Sequence, residues 1–92
     1  MIDQTLVNEI THALDAYRQS IARASDAQSK EDYSRLVAIT ERVITSIQVN
    51  DMADIKLGVL SFSRQVSDSF STQPPEFKAL AHKIAEVKRL VI

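Results

Sequence analysis

The chain contains no cysteine and no tryptophan, and only one glycine and two prolines in 92 residues. Without cysteine there is no disulfide framework, no thiolate metal site and no thiol nucleophile. A single glycine excludes the glycine-rich phosphate loops, which need two or three glycines close together. It also argues against an all-β chain, which needs turn glycines at short intervals. No apolar run approaches the ~18–20 residues of a membrane-spanning helix. The N-terminal Met1-Ile2-Asp3-Gln4 has neither the basic nor the apolar region of a secretory signal. The expected location is the cytoplasm.

Charge of one sign is missing as well. Eleven Lys and Arg oppose twelve Asp and Glu, for a net charge of -1, and the pI is about 6.1. A nucleic-acid partner is not expected, because such domains carry a strong basic excess. The near-neutral total hides an asymmetry. Residues 1–72 hold seven basic and ten acidic side chains, whereas residues 73–92 hold Lys78, Lys83, Lys88 and Arg89 against Glu76 and Glu86.

What is present is apolar patterning: 45% of residues are hydrophobic, ordinary for a single folded domain. Four stretches repeat with helical spacing. In the first, over 3–24, Val7, Ile10, Leu14, Tyr17, Ile21 and Ala24 form a stripe that Leu6 and Ala13 widen, and Asp3 is placed to cap the first turn. The second, over 30–47, follows Ser29-Lys30-Glu31-Asp32, which resembles a capping box with Asp32 in place of the usual Glu or Gln, and its apolar face is Tyr33, Leu36, Val37, Val43, Ile44 and Ile47, with Thr40 inward. Its β-branched residues would suit a strand at 43–49, but the helical spacing continues and there is no second strand to pair with.

Asn50 and Asp51 then end one helix and cap the next. The third helix, over 52–69, presents Met52, Ile55, Val59, Phe62, Val66 and Phe70 to the core, with serines 61, 63, 67 and 69 on the solvated side. Gly58 inside it costs ~1 kcal/mol relative to alanine and reads as close helix packing or simple tolerance rather than a hinge. The break at Ser71-Thr72-Gln73-Pro74-Pro75 precedes a fourth helix over 75–90, with Phe77, Leu80, Ile84, Val87 and Val91 inward. Glu76 and the Lys88–Arg89 pair suit the two poles of its macrodipole. Four singly amphipathic helices on short connections predict an all-α, antiparallel, up-down-up-down four-helix bundle, one domain over 1–92.

Chemistry is sparse. His12 and His82 have no nucleophile beside them, and no Glu-x-x-His or His-x-x-x-His pair offers a metal site. No catalytic residue, metal or cofactor is expected. His82, with Lys78, Ala81 and Lys83 around it, meets only loosely the pattern of a phosphotransfer helix. The candidate partner-binding residues are Lys78, His82, Lys83, Lys88 and Arg89. They form a basic strip suited to an acidic protein or to an anionic inner leaflet, where each exposed cation contributes about 1 kcal/mol. No aromatic residue interleaves with them, which again disfavours nucleic acid.

The layout resembles a known group. A small, cysteine-free, four-helix chain with a proline-marked turn before a lysine-rich last helix is similar to the immunity proteins of class II (pediocin-like) bacteriocins, the enterocin A immunity family. The echoes are Leu36-Val37-Ala38, Leu60-Ser61-Phe62 and Pro74-Pro75-Glu76-Phe77-Lys78-Ala79-Leu80. The resemblance implies a non-enzymatic cytoplasmic protein that protects a producer cell. It would do so by recognising the membrane mannose-phosphotransferase permease once a bacteriocin has engaged it, with possible contact to the inner membrane surface. It also implies that specificity resides toward the C-terminus, here 73–92. A monomer or weak homodimer is expected. The competing readings are a helical adaptor, secretion chaperone or oligomerisation module and, more weakly, a phosphotransfer domain.

Overall fold

A computed structural model describes residues 3–23, 27–69 and 75–92 of the chain. Four helices account for nearly all of these: α1 (Gln4–Ala22), α2 (Ala27–Gln48), α3 (Met52–Ser69) and α4 (Glu76–Val91). Each packs on its neighbours in sequence, and α1 also packs on α4, which closes the ring of an up-down-up-down bundle. The α2–α3 and α1–α4 interfaces are the more extensive.

Local chemistry sets most boundaries as expected. The Asp3 carboxylate accepts the Thr5 amide at 3.3 Å and caps α1. The α2–α3 connection is the three residues Val49, Asn50 and Asp51, within the range of a tight helical hairpin. Asn50 adopts φ 58°, the left-handed conformation that asparagine tolerates better than most residues. Its amide donates to the Ile47 carbonyl at 3.1 Å, and the Asp51 amide to the Ser46 carbonyl at 2.9 Å. These two bonds form a Schellman motif. The Asp51 side chain then accepts the Asp54 amide at 3.1 Å, so one residue closes α2 and caps α3.

The helix ends fall within one or two residues of the sequence reading, except at the start of α2. Helix α2 begins at Ala27 rather than residue 30, so the segment read as a capping box lies inside the first turns. Ala27, Gln28 and Lys30 are good helix formers and extend the helix toward its N-terminus. Pro75 sits just before α4, with φ -56° and ψ -32° already helical, as the fixed ring geometry of proline favours. Ala24, Phe70 and the 71–74 break lie outside the described residues.

The core follows the four stripes. Buried are Leu6, Val7, Ile10, Ala13, Leu14 and Tyr17 of α1, and Tyr33, Leu36, Val43 and Ile47 of α2. From α3 come Ile55, Val59 and Phe62, and from α4 Phe77, Leu80, Ile84, Val87 and Val91. Ile21, Val37, Ile44 and Val66 pack at its margin. Met52 does not join them: it is 45% exposed, because the first residue of α3 lies beyond the layer that the other helices cover. Thr40 is inward as expected, and its hydroxyl donates to the Leu36 carbonyl at 2.8 Å. Gly58 marks a close approach: a Cβ there would stand 2.6 Å from Val43 Cγ2. The glycine therefore lets α3 lie against α2.

Candidate partner-binding face

Helix α4 has two distinct sides. Phe77, Leu80, Ile84, Val87 and Val91 point into the core. Opposite them, Lys78, His82, Ala85 and Arg89 are exposed, and their spacing of four, three and four residues aligns them along the outward face. The basic residues predicted to form one strip therefore separate into three settings.

Lys78 and Arg89 stand on the outward line and form no ion pair among the described residues. His82 shares that line, with its Nε2 3.6 Å from Glu86 Oε1. Lys83 turns toward α1, where its ammonium is hydrogen-bonded to the Glu9 carboxylate and lies 3.6 Å from Glu86. The hydrogen bond to Glu9, supported by the charge of Glu86, holds the Lys83 ammonium above the usual lysine range. Lys83 is thus a clamp between α1 and α4. Lys88 turns the other way, to the rim of a groove between α3 and α4 of about 230 Å³, floored by Val59, Phe62, Val66 and Ile84. It forms no ion pair among the described residues.

The acidic side chains contrast with these cations. Asp15 and Glu41 flank Arg18, and Glu31 pairs with Arg35. Asp54 takes the Arg42 guanidinium at 2.6 Å and also accepts the Ser46 hydroxyl. The hydrogen bonds from Arg42 first and Ser46 second hold its carboxyl below the usual carboxylate range. Glu76 is held low by its own backbone amide, then by the Ser20 hydroxyl at 2.9 Å and the charge of Arg23. Asp3 and Asp51 serve as caps. Every acidic side chain that is described is engaged, while Lys56, Arg64, Lys78, Lys88 and Arg89, all on α3 and α4, have no ion-pair partner among the described residues.

His12 is exposed and lines a shallow groove between α1 and α4 beside Ala13, Ala16, Ala79 and Lys83. Among the described residues no group of three or more His, Cys, Asp or Glu side chains is gathered as a metal site would require, and no helix is long and apolar enough to cross a membrane. The sequence reading did not anticipate the Arg42–Asp54–Ser46 network or the Glu9–Lys83 clamp. The first joins residues twelve apart across a turn. The second joins residues 74 apart in the chain. Compared with known proteins, the chain matches no family model, no curated protein and no solved structure.

Proposed function

We propose that this protein is a non-enzymatic binding module of the bacteriocin-immunity type. In this reading it protects a producer cell from a pore-forming class II bacteriocin by engaging the receptor–bacteriocin complex from the cytoplasmic side. The observation that carries the reading is the set of cations on α4 without acid partners among the described residues, Lys78, Lys88 and Arg89, in a molecule whose described acids are all engaged. Such charges raise the association rate with an acidic surface and fix its register. Close to an anionic leaflet each contributes about 1 kcal/mol. The resemblance of 74–80 to the immunity family supplies the biological setting, and the small four-helix architecture agrees with it.

The test is expression in a sensitive strain, followed by challenge with a panel of pediocin-like peptides. Protection against at least one peptide is expected, with loss in the double variant Lys78→Glu/Arg89→Glu. Lys83→Gln, which removes the α1–α4 clamp, keeps protection at temperatures where the bundle stays folded. Soluble expression without protection against any peptide removes the immunity reading and leaves the helical adaptor. His82→Gln is expected to retain protection, and its failure would revive the phosphotransfer alternative.

A further inference from the structure

Helix α3 carries a second stripe that the bundle does not use. Ala53, Leu57, Leu60 and Arg64 recur at steps of four, three and four residues, and all are exposed. Leu57 is 57% and Leu60 45% accessible. The stripe lies opposite Ile55, Val59 and Phe62, which face the core. Its spacing is that of a helix–helix seam, in which apolar residues alternate at intervals of three and four and insert between residues of a facing helix. Leu57 and Leu60, about one turn apart, lie outside the core that the rest of the helix buries.

Charge indicates what would cover them. Lys56 flanks the seam and Arg64 continues it, and neither has an ion-pair partner among the described residues. Asp54, the acid of the first turn, is turned away and held by Arg42. Among the described residues a second copy of the chain would bring two more cations to this face and no free acid. A bilayer would require a broad apolar face with large side chains, whereas this stripe is one residue wide and bordered by exposed Ser61 and half-buried Ser63. We infer that the outward face of α3 docks an acidic amphipathic helix of a partner protein, with Leu57 and Leu60 as apolar anchors and Lys56 and Arg64 pairing with carboxylates that flank the partner's own apolar seam. The site is separate from the α4 strip, so the inference stands or falls independently of the immunity reading.

The test uses the full chain and two sets of designed helical peptides that share a leucine seam at alternating three- and four-residue spacing. One set is flanked by glutamate and the other by lysine. Titration followed by amide chemical shifts is expected to show binding of glutamate peptides only, with perturbations centred on Ala53, Leu57, Leu60 and Arg64. Lys56→Glu/Arg64→Glu is expected to weaken that binding at least tenfold and to transfer preference to the lysine set. Leu57→Ser/Leu60→Ser is expected to abolish it with helicity retained, and if that variant fails to fold the charge-reversal variant carries the test. Equal binding of both sets, or no binding by any glutamate peptide, overturns the inference. So does concentration-dependent dimerisation, or flotation with phosphatidylglycerol vesicles, that the leucine substitutions abolish, since these would assign the seam to a second copy or to a lipid surface.

Discussion

At one end of the bundle four aromatic rings, one from each helix, follow one another. Tyr33 meets Tyr17 edge-on at 6.1 Å, Tyr17 meets Phe77 at 6.0 Å, and Phe77 stacks on Phe62 at 6.1 Å. At the other end the core is aliphatic, and α2 and α3 are bound by the Asn50–Asp51 turn, the Gly58–Val43 approach and the Arg42–Asp54–Ser46 network. At the aromatic end the Tyr17–Phe77 contact joins the first helix to the last, and the run of rings is complete only when all four helices are in place. The hairpin end is assembled from short-range interactions within one helix–turn–helix. The contrast shows how a chain this small secures its helices twice, once by shape in the core and once by local hydrogen bonding at a turn.

The largest effect is expected from Phe77→Ala, because Phe77 is the ring that joins α1 to α3. Truncation of a buried phenylalanine costs about 3–5 kcal/mol, a large share of the 5–15 kcal/mol that stabilises a typical domain. Chemical denaturation is therefore expected to show a barely stable or unfolded protein. If Phe77→Ala costs less than Ile55→Ala at the opposite end, the aromatic chain is not the stronger tie.

Gly58→Ala probes the hairpin end. Helix propensity alone would favour alanine by about 1 kcal/mol, but the added methyl overlaps the stiff, β-branched Val43. Overpacking of this kind costs about 1–3 kcal/mol, so a net loss of stability is expected. The cost should shrink in the Val43→Ala background, because residues in direct contact are energetically coupled. Additive costs in the double-mutant cycle would show that the close approach does not limit the packing of α2 on α3.

The smallest effect concerns pH. Asp54 has a lowered pKa when folded, so its contribution is present above the ordinary carboxyl value of 3.8 and is lost as pH falls below that toward the folded value. Asp54→Asn is therefore expected to lower stability near neutral pH and to flatten the acid limb of thermal midpoint against pH. Lys83 has the opposite sign: its folded pKa is raised above 10.5, so its contribution is complete below that value and disappears at higher pH. Lys83→Gln is therefore expected to lower stability near neutral pH and to flatten the alkaline limb of thermal midpoint against pH. An alkaline limb in Lys83→Gln as steep as in the unaltered protein would show that the Lys83–Glu9 pair adds nothing to stability.

The helices themselves were legible because each carries one stripe at helical spacing, and every inward residue predicted for α4 is buried. The Asn50–Asp51 break was legible because asparagine and aspartate have specific roles at helix ends. Met52 was misread because periodicity alone does not say where the covering layer stops. The α3 seam at Ala53, Leu57, Leu60 and Arg64 was available as a second spacing pattern, yet only the packed bundle distinguishes which of two stripes on one helix is covered. The basic strip was legible as composition but not as geometry. Lys83 lies within five residues of Lys78 and Lys88 in the chain, but its pairing depends on Glu9 in α1.

The sequence by itself determined the four helices, their order, the turn between α2 and α3 and most of the inward residues, because these follow from periodicity and from the chemistry of caps over a few residues. Only the tertiary structure decided which of the described cations are engaged in ion pairs and which are not, why position 58 must be small, and which leucines remain outside. Those properties depend on distances between side chains on different helices, and no local pattern encodes them.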